Sequence, residues 1–223
     1  MAKPDFTEQR TRMVERQLRR RGIDDERVLR AMETVPREHF VPERVRGSAY
    51  NDSALPIGHE QTISQPWVVA AICQALALEG DENVLEIGTG SGYSAAVLAN
   101  LAGRVISLER VPSLAEWARE RLAELGVDNV EVVVGDGSRG YPDGAPYEGI
   151  AVHAATPEVP HSLLAELAPS GRLVAPIATG SADLLTAFVR ENGDLRQETI
   201  GPCRFVPLIG AEGFAPPGSS GGS

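Results

Sequence analysis

The strongest constraint on the fold is a glycine-rich loop that separates an apolar run from a helix-like stretch. Residues 84–85 are Val and Leu, and residues 94–99 have the small and apolar composition of a helix. The loop between them reads Glu86-Ile87-Gly88-Thr89-Gly90-Ser91-Gly92. Glycines let the backbone turn tightly and let a ligand approach the main chain closely. The pattern therefore predicts a strand, a loop and a helix that together hold a nucleotide-like ligand.

Strand-like and helix-like segments alternate around this loop. The predicted strands are residues 83–87, 105–109, 130–134, 150–153 and 172–176. Helices are predicted between them, most clearly over residues 113–125 and 160–167. This alternation predicts an α/β fold with a doubly wound, mostly parallel, Rossmann-like sheet covered on both faces. Residues 184–190 and 195–200 flank a turn and predict a C-terminal antiparallel hairpin.

The residues before this region predict an N-terminal helical extension. Amphipathic patterns predict helices over residues 6–21 and 25–34, and another helix over residues 67–78. Residues 42–66 are rich in loop-forming residues and carry no periodic pattern.

We expect three parts in the chain, whose 223 residues suit one large α/β domain with an appended element. Residues 1–78 form the N-terminal helices and a cleft segment packed on the core. Residues 79–214 form the ligand-binding core. Residues 215–223 are rich in Pro, Gly and Ser and are expected to be disordered.

The charge balance argues against a nucleic-acid substrate. The chain has 21 Lys and Arg residues against 31 Asp and Glu residues, for a net charge of −10. Binding a nucleic-acid backbone requires clustered cations. The dense basic cluster here is Arg19-Arg20-Arg21, at the end of a predicted helix, which is typical of a solvated face.

The remaining composition predicts a cytoplasmic protein. No apolar run approaches the length of a membrane span, and no signal peptide is recognised. Cys73 and Cys203 lack metal-ligand spacing, and no metal site is expected. Free thiols fit this pattern best, and a disulfide between the two cysteines stays open as an alternative.

The loop departs from the dinucleotide-binding pattern, since Tyr93 stands where the third glycine of that pattern should be. Glu86, Glu109 and Asp136 stand at the ends of three consecutive predicted strands. Glu86 would repel a pyrophosphate and would accept a cation such as the ammonium of a methionine. Glu109 is placed for ribose hydroxyls, and Asp136 for an adenine amino group. These groups together indicate S-adenosylmethionine as the ligand.

At this point the residues match a known family. The glycine loop resembles motif I of class I methyltransferases, and the fuller pattern resembles the protein-L-isoaspartate O-methyltransferases over residues 13–213. The other matching strings are Leu55-Pro56-Ile57-Gly58, Gln61-Thr62-Ile63-Ser64-Gln65-Pro66, Gly135-Asp136-Gly137, Ala145-Pro146-Tyr147, Ala154-Ala155, Pro157, Val159-Pro160 and Arg204-Phe205-Val206-Pro207-Leu208.

The resemblance implies methyl transfer from S-adenosylmethionine to the α-carboxyl of an isoaspartyl residue in a protein or peptide. The ester then closes to a succinimide, which reopens partly to aspartate. Ser64 matches the residue assigned to the active site. The implied substrate-binding residues are Gln61, Thr62, Ile63, Val206, Pro207 and Leu208. The implied cofactor-binding residues are Glu86, Gly88, Thr89, Gly90, Ser91, Gly92, Glu109, Arg110, Asp136 and Gly137. We expect a monomer.

The chemistry explains the types of residue present. Carboxyl pKa values lie near ~4, so the acceptor is already a nucleophile at neutral pH and no strong base is needed. Alignment and exclusion of water are the main requirements. Ser64 is therefore read as a hydrogen-bonding positioner, although a Ser before Gln-Pro also suits a helix cap. His153 is interpreted as structural, because the chemistry does not need it as a base.

Three residues depart from the family pattern and keep other functions open. Glu60 replaces a common glycine, His153 a common threonine, and Glu148 a common aspartate. Because the first two are near the expected substrate cleft, a relative that methylates an aspartate of a modified ribosomal peptide, installing aspartimide or isoaspartate, is the alternative. A non-catalytic binding module is a further hypothesis, which the retained Ser64 and strand-end carboxylates disfavour.

Overall fold

The computed structural model describes residues 5–191 and 193–216, arranged around a seven-stranded sheet. The order of strands across it is β5-β4-β3-β6-β7-β8-β9. These strands are β3 (Asn83–Ile87), β4 (Arg104–Glu109), β5 (Val130–Val134), β6 (Tyr147–Val152), β7 (Leu167–Ala178), β8 (Asp183–Glu191) and β9 (Asp194–Cys203). The strands from β5 to β7 run parallel, and β8 and β9 are antiparallel to their neighbours. The predicted mostly parallel sheet and C-terminal hairpin are confirmed.

Six α-helices of the described residues surround this sheet. They are α1 (Phe6–Met13), α2 (Glu26–Thr34), α3 (Pro66–Leu76), α4 (Tyr93–Ala99), α5 (Pro112–Glu124) and α6 (His161–Glu166). Asp5 and Asp25 cap α1 and α2 through their carboxylates, which accept from backbone amides of the first turn. α1 continues through a π-helical turn over Val14–Leu18 and a 3-10 turn over Arg19–Arg21.

The two faces of the sheet bury separate apolar clusters, as β3 illustrates. Val84 points to the face covered by the N-terminal helices and by α3, α4 and α5. Leu85 and Ile87 point to the opposite face, where α6 packs. Successive side chains of a strand point to opposite faces, so a strand covered on both sides is apolar throughout. The doubly wound arrangement follows from this pattern.

The cleft lies where the chain order across the sheet reverses. β3 pairs in parallel with β4 on one side and with β6 on the other. The connections that leave these strands diverge, and they open a crevice at the carboxyl ends of the strands. The glycine loop that follows β3 is therefore at the mouth of this crevice.

A second, two-stranded sheet lies within the stretch that the sequence predicted only as loop. β1 (Leu55–Gly58) and β2 (Gln61–Ile63) form an antiparallel hairpin. Its turn residues, His59 and Glu60, have φ angles of 51° and 60°. The hairpin was missed because such turns usually contain Asn or Gly, and this one contains neither at its centre.

The N-terminal segment and the sheet share one core. The apolar cluster on the α3 face extends from Met13 in α1 to Ala187 in β8. Cys73 and Cys203 are both free thiols, so the alternative of a disulfide is not adopted. Within the described ranges, the helices are too short or too polar for a membrane span. Most of the tail predicted over residues 215–223 lies outside the described residues.

Candidate active site

The glycine loop is fixed to the neighbouring strand by main-chain hydrogen bonds. The amides of Gly88 and Thr89 both donate to the carbonyl of Leu108 in β4, at 2.8 and 3.2 Å. Gly88, Gly90 and Gly92 have φ angles of 92°, 54° and 88°. Glycine adopts this left-handed region readily, whereas side chains with a Cβ rarely do. The loop therefore presents bare backbone to the cleft.

Glu109, at the end of β4, is held beside this loop. Its side chain accepts from the amide of Gly90 at 2.8 Å and from the amide of Val111 at 2.8 Å, one bond to each carboxylate oxygen. The residue is 6% exposed and lines the cleft. Each oxygen keeps a further lone pair, so the carboxylate can accept hydrogen bonds from ligand hydroxyls.

Glu86 does not lie where a direct contact with a cation in the cleft was expected. It is fully buried beneath the loop and does not line the cleft. Its Oε2 accepts from the hydroxyl of Ser107, which lies 2.6 Å from the hydroxyl of Thr89. Burial raises the pKa of Glu86 to about 7, although the Ser107 hydrogen bond opposes this shift. Glu86 is therefore placed beneath the loop, where it holds Ser107 and, through Ser107, the Thr89 side chain of the loop.

His153 lies directly after β6 and closes the floor of the cleft. Its Nε2 is 2.7 Å from the hydroxyl of Ser94 and 3.5 Å from Oε1 of Glu86. The side chain is 6% exposed, and burial lowers its pKa to about 4. The imidazole is therefore neutral at physiological pH, which suits a structural contact.

Asp136, which was expected to contact an adenine, does not line the cleft in this structure, and that contact stays a prediction. Its Oδ1 accepts from the amide and hydroxyl of Ser138, at 3.0 and 2.7 Å. Its Oδ2 accepts from the amide of Ala211 at 2.9 Å. Asp136 thus fastens the C-terminal segment to the loop after β5. These hydrogen bonds and the neighbouring left-handed Gly140 turn are features that the strand-end position alone did not reveal.

Ser64 follows β2 and lines the same cleft as the glycine loop. α3 begins at Pro66, with Gln65 as its N-cap residue and no side-chain cap. Ser64 therefore does not cap the helix, and no hydrogen bond to its hydroxyl is found among residues 5–191 and 193–216. That hydroxyl is available for a ligand.

The far end of the chain supplies another part of the cleft wall. The amide of Ala155 donates to the carbonyl of Val206 at 2.8 Å, and the amide of Leu208 donates to the carbonyl of Ala155 at 2.7 Å. These bonds hold residues 206–208 beside the loop that follows β6. Val206, Pro207 and Leu208 all line the cleft.

The structure thus brings most of the predicted site residues together. Those lining one cleft are Gln61, Thr62, Ile63, Ser64, Gly88, Thr89, Gly90, Ser91, Glu109, Arg110, Gly137, Val206, Pro207 and Leu208. Glu86, Gly92 and Asp136 lie behind or beside it. The lining residues that the sequence reasoning missed include Val69, Ile87, Tyr93, Ser94, Leu108, Val111 and Ile209. Most of these are apolar residues adjoining the motifs, and adjacency to a motif was the available signal.

The comparisons with known proteins identify one family. The family model described as Protein-L-isoaspartate(D-aspartate) O-methyltransferase matches residues 8–213. A protein-L-isoaspartate O-methyltransferase 1 of Rhodopseudomonas palustris is 56% identical over 212 residues, covering 94% of this chain and 86% of the relative. The protein-L-isoaspartate O-methyltransferase of Methanoculleus marisnigri is 51% identical over 206 residues, covering 92% of this chain and 94% of the relative.

Two solved structures share the fold over nearly the whole chain. A protein-L-isoaspartate O-methyltransferase superposes with a TM-score of 0.82 at 29% identity, covering 92% of this chain and 67% of that chain. A Plasmodium falciparum structure described with the same activity contains S-adenosyl-L-homocysteine. It superposes with a TM-score of 0.79 at 25% identity, covering 93% and 99% of the two chains.

Proposed function

The chain belongs to the protein-L-isoaspartate (D-aspartate) O-methyltransferase family, and from that premise we propose how its cleft carries out the reaction. The enzyme transfers a methyl group from S-adenosylmethionine to the α-carboxyl of L-isoaspartyl residues in damaged proteins, which leads to succinimide formation and repair. Its cleft has Ser64 on one wall and the glycine loop on another. We call residues 61–64 and 206–208 the acceptor wall, and the glycine loop with the residues around Glu109 the donor wall. The proposal depends on these two walls facing one cleft.

The residues of the donor wall fit S-adenosylmethionine. Glu109 would hold the ribose hydroxyls, because its carboxylate is already oriented by two backbone amides. Ile87, Leu108 and Val111 give an apolar lining that suits a flat purine ring. Gly88 and Gly90 leave room for the chain of the methionine. When bound, S-adenosylmethionine supplies an electrophilic methyl group on a sulfonium.

The residues of the acceptor wall would orient the carboxylate. The Ser64 hydroxyl would donate a hydrogen bond to one carboxylate oxygen and leave the other free to attack. Residues 61–63 and 206–208 would hold the peptide backbone on either side and exclude water. Because the carboxylate is ionised at neutral pH, neither His153 nor any other base has to remove a proton.

The finer properties of the enzyme are also part of the proposal. The substrate is an isoaspartyl protein or peptide of cellular origin, the enzyme acts in the cytoplasm, and it works as a monomer. Methylation of an aspartate in a modified ribosomal peptide remains the alternative. It is motivated by His153 in the cleft floor and by Glu60 at the tip of the β1–β2 hairpin.

The test compares methyl transfer to isoaspartyl and aspartyl versions of one peptide, in wild type and in Ser64→Ala. We expect methylation of the isoaspartyl peptide alone. Hydrogen bonds to charged groups contribute about 1.5–3 kcal/mol, so Ser64→Ala should lower kcat/KM by roughly 10- to 100-fold. The dissociation constant of S-adenosyl-L-homocysteine, measured by calorimetry, should stay within about threefold, since Ser64 is on the acceptor wall.

Ser170→Ala is the matched control, because Ser170 is an exposed serine outside the cleft. It should keep the wild-type kcat/KM. Equal activity in Ser64→Ala and Ser170→Ala would remove the role given to Ser64. Preference for the aspartyl peptide in wild type would favour the biosynthetic alternative.

A further inference from the structure

Arg37 is a buried cation behind the acceptor wall, and the reaction as described above gives it no role. It begins the 3-10 turn Arg37–Phe40, directly after Pro36, and its exposed fraction is 0%. Its Nε donates to the carbonyl of Ala49 at 2.7 Å, and its Nη2 donates to the carbonyl of Ser64 at 2.7 Å. The guanidinium therefore contacts the backbone of Ser64, the residue proposed to orient the carboxylate of the substrate.

This guanidinium has no counter-ion in the part of the chain that the structure describes. Its Nη1 has no hydrogen-bond partner there, and its Nε and Nη2 donate to backbone carbonyls and not to a carboxylate. The adjacent carboxylate, Glu38, is paired with Arg10 at 3.3 Å instead. An arginine stays protonated even when buried, so an uncompensated positive charge remains in the interior. Burying such a charge is costly unless another group balances it.

The surroundings of Arg37 compensate the charge only in part. Its Cζ lies 4.9 Å from the centroid of the Tyr93 ring, which gives a cation–π contact. Tyr93 and Ser64 both line the cleft. Ser64 and Tyr93 thus lie between the cation and the cleft. The proposed substrate would place its carboxylate on the cleft side of Ser64.

We propose that Arg37 is a positioning residue whose buried charge is balanced by the α-carboxylate of the acceptor, while its Nη2 holds the backbone of Ser64 in place. This inference rests on the proposed methylation of a carboxylate. In an interior of low dielectric constant, the attraction between two charges is much stronger than in water. Methylation converts the carboxylate to a neutral ester, so the same attraction favours the substrate over the product.

The test is a cycle that changes the charge on the protein and on the ligand separately. Binding of an isoaspartyl peptide is compared with that of the same peptide carrying an α-carboxamide. Both are measured by fluorescence anisotropy on enzyme saturated with S-adenosyl-L-homocysteine, so that no turnover occurs. For wild type we expect the carboxamide to bind at least tenfold more weakly. In Arg37→Met the difference should shrink to less than threefold, and in Arg37→Lys it should lie between these values.

Arg204→Met is the control, because Arg204 is an exposed cation next to the wall formed by residues 206–208. It should keep the wild-type ratio between the two peptides. The same ratio in wild type and Arg37→Met, or loss of the ratio in Arg204→Met, would overturn the proposal. A purely structural role would weaken both peptides and S-adenosyl-L-homocysteine together, and would leave the ratio unchanged.

Wild type alone gives an independent measurement in case the Arg37 variants do not fold. A buried charge is screened by salt much less than an exposed one. The ratio between the two peptides should therefore change less than twofold between 50 and 500 mM salt. A ratio that falls to one over this range would show that exposed cations, and not Arg37, attract the carboxylate, and would overturn the proposal. Turnover of the isoaspartyl peptide by wild type tests the proposed function separately, so the two failures are distinguishable.

Discussion

Glu86 and His153 are two buried titratable side chains, 3.5 Å apart, whose pKa values are shifted in opposite directions relative to the unfolded chain. Burial lowers the pKa of His153 to about 4 and raises the pKa of Glu86 to about 7. Burial is the main cause of both shifts, because a charge is poorly solvated beneath the glycine loop, and the negative charge of Glu109 adds to the upward shift of Glu86. Each shift makes the free energy of unfolding depend on pH.

The signs of the two effects are opposite. Between pH 4 and 6.5 the unfolded chain binds a proton at His153 that the folded chain does not, so stability rises with pH through this group. Between pH 4.5 and 7 the folded chain keeps a proton on Glu86 that the unfolded chain releases. Stability therefore falls as pH rises through Glu86. In wild type the two contributions offset each other over the shared window.

We expect His153→Thr to uncover the contribution of Glu86. The free energy of unfolding of this variant, relative to wild type, should decrease as the pH rises from about 4.5 to 6.5, because the opposing His153 term is gone. Glu86→Gln should show the reverse trend. Denaturant unfolding at several pH values measures both differences. If both differences are independent of pH, the two groups do not titrate in folding as described.

At the residue scale, the sequence predicted identities better than contacts. Ser64 and Glu109 were both predicted from motif positions, and both line the cleft. Asp136 was predicted from its strand-end position, like Glu109, but it accepts from Ser138 and Ala211 and does not line the cleft, so its contact with an adenine stays a prediction. Ala211 is 75 residues away from Asp136 in the chain. A strand-end position does not say which distant amide will reach it.

At the scale of elements, the β1–β2 hairpin carries the acceptor wall on an unfavourable turn. His59 and Glu60 both have positive φ angles, and His59 Nε2 lies 3.0 Å from the hydroxyl of Ser113 at the start of α5. Non-glycine residues adopt left-handed angles at a cost of about 1–2 kcal/mol. The hairpin therefore depends on packing, such as burial of Ile57 and Ile63, to keep its shape.

We expect Glu60→Gly to stabilise the protein by about 0.5–1 kcal/mol. Glycine relieves the strain at this φ, and its greater freedom in the unfolded chain offsets part of the gain. Denaturant unfolding measures the change. Glu60→Ala is the matched control, because it removes the same charge and keeps the strain. Equal stability of the two variants would mean that the charge and not the backbone angle sets the effect.

Regular elements were predicted closely where a local pattern repeats. β3 and β5 have the predicted bounds, Asn83–Ile87 and Val130–Val134. β7 is Leu167–Ala178, whereas only residues 172–176 were predicted. The prediction was too short because Pro and Gly residues interrupt the apolar pattern of this strand. Of the added residues, Leu167 pairs with Tyr147 of β6, and Ile177 and Ala178 pair with β8, whose residues lie further along the chain. Pairing partners of this kind are not visible in a local window.

At the scale of the whole molecule, the N-terminal segment and the sheet share one apolar core. The apolar cluster that contains Met13 and Leu18 also contains Val174 and Leu185. Three parts were expected from the sequence, and that division stays a prediction about the chain. A shared core predicts that the N-terminal segment and the sheet unfold together.

Thermal unfolding in the presence of S-adenosyl-L-homocysteine tests this coupling. A ligand at 100 times its dissociation constant stabilises the folded state by about 2.7 kcal/mol. For a protein of this size, that corresponds to a rise in Tm of about 5–10 °C. We expect a single transition that shifts as a whole. NAD at the same concentration should give no shift, because Tyr93 replaces the third glycine of the dinucleotide pattern. Two transitions, of which one shifts, would contradict the shared core.

The sequence by itself determined the strand, glycine loop and helix, the class of cofactor, and the alternating α/β order. These depend on residue type and spacing within short windows, where backbone preference and apolar periodicity act directly. The family resemblance added the acceptor and the role of Ser64. The missing third glycine and the acidic strand ends were enough to set a dinucleotide aside.

Only the tertiary structure decided which of those residues meet. Arg37 donates to Ser64 across 27 residues of chain, and Ser94 meets His153 across 59. It also decided that Glu86 lies beneath the cleft and that Asp136 serves the C-terminal segment. The physical reason is that burial and pairing depend on every element packed around a group. A residue's own neighbours in sequence supply only a small part of that environment.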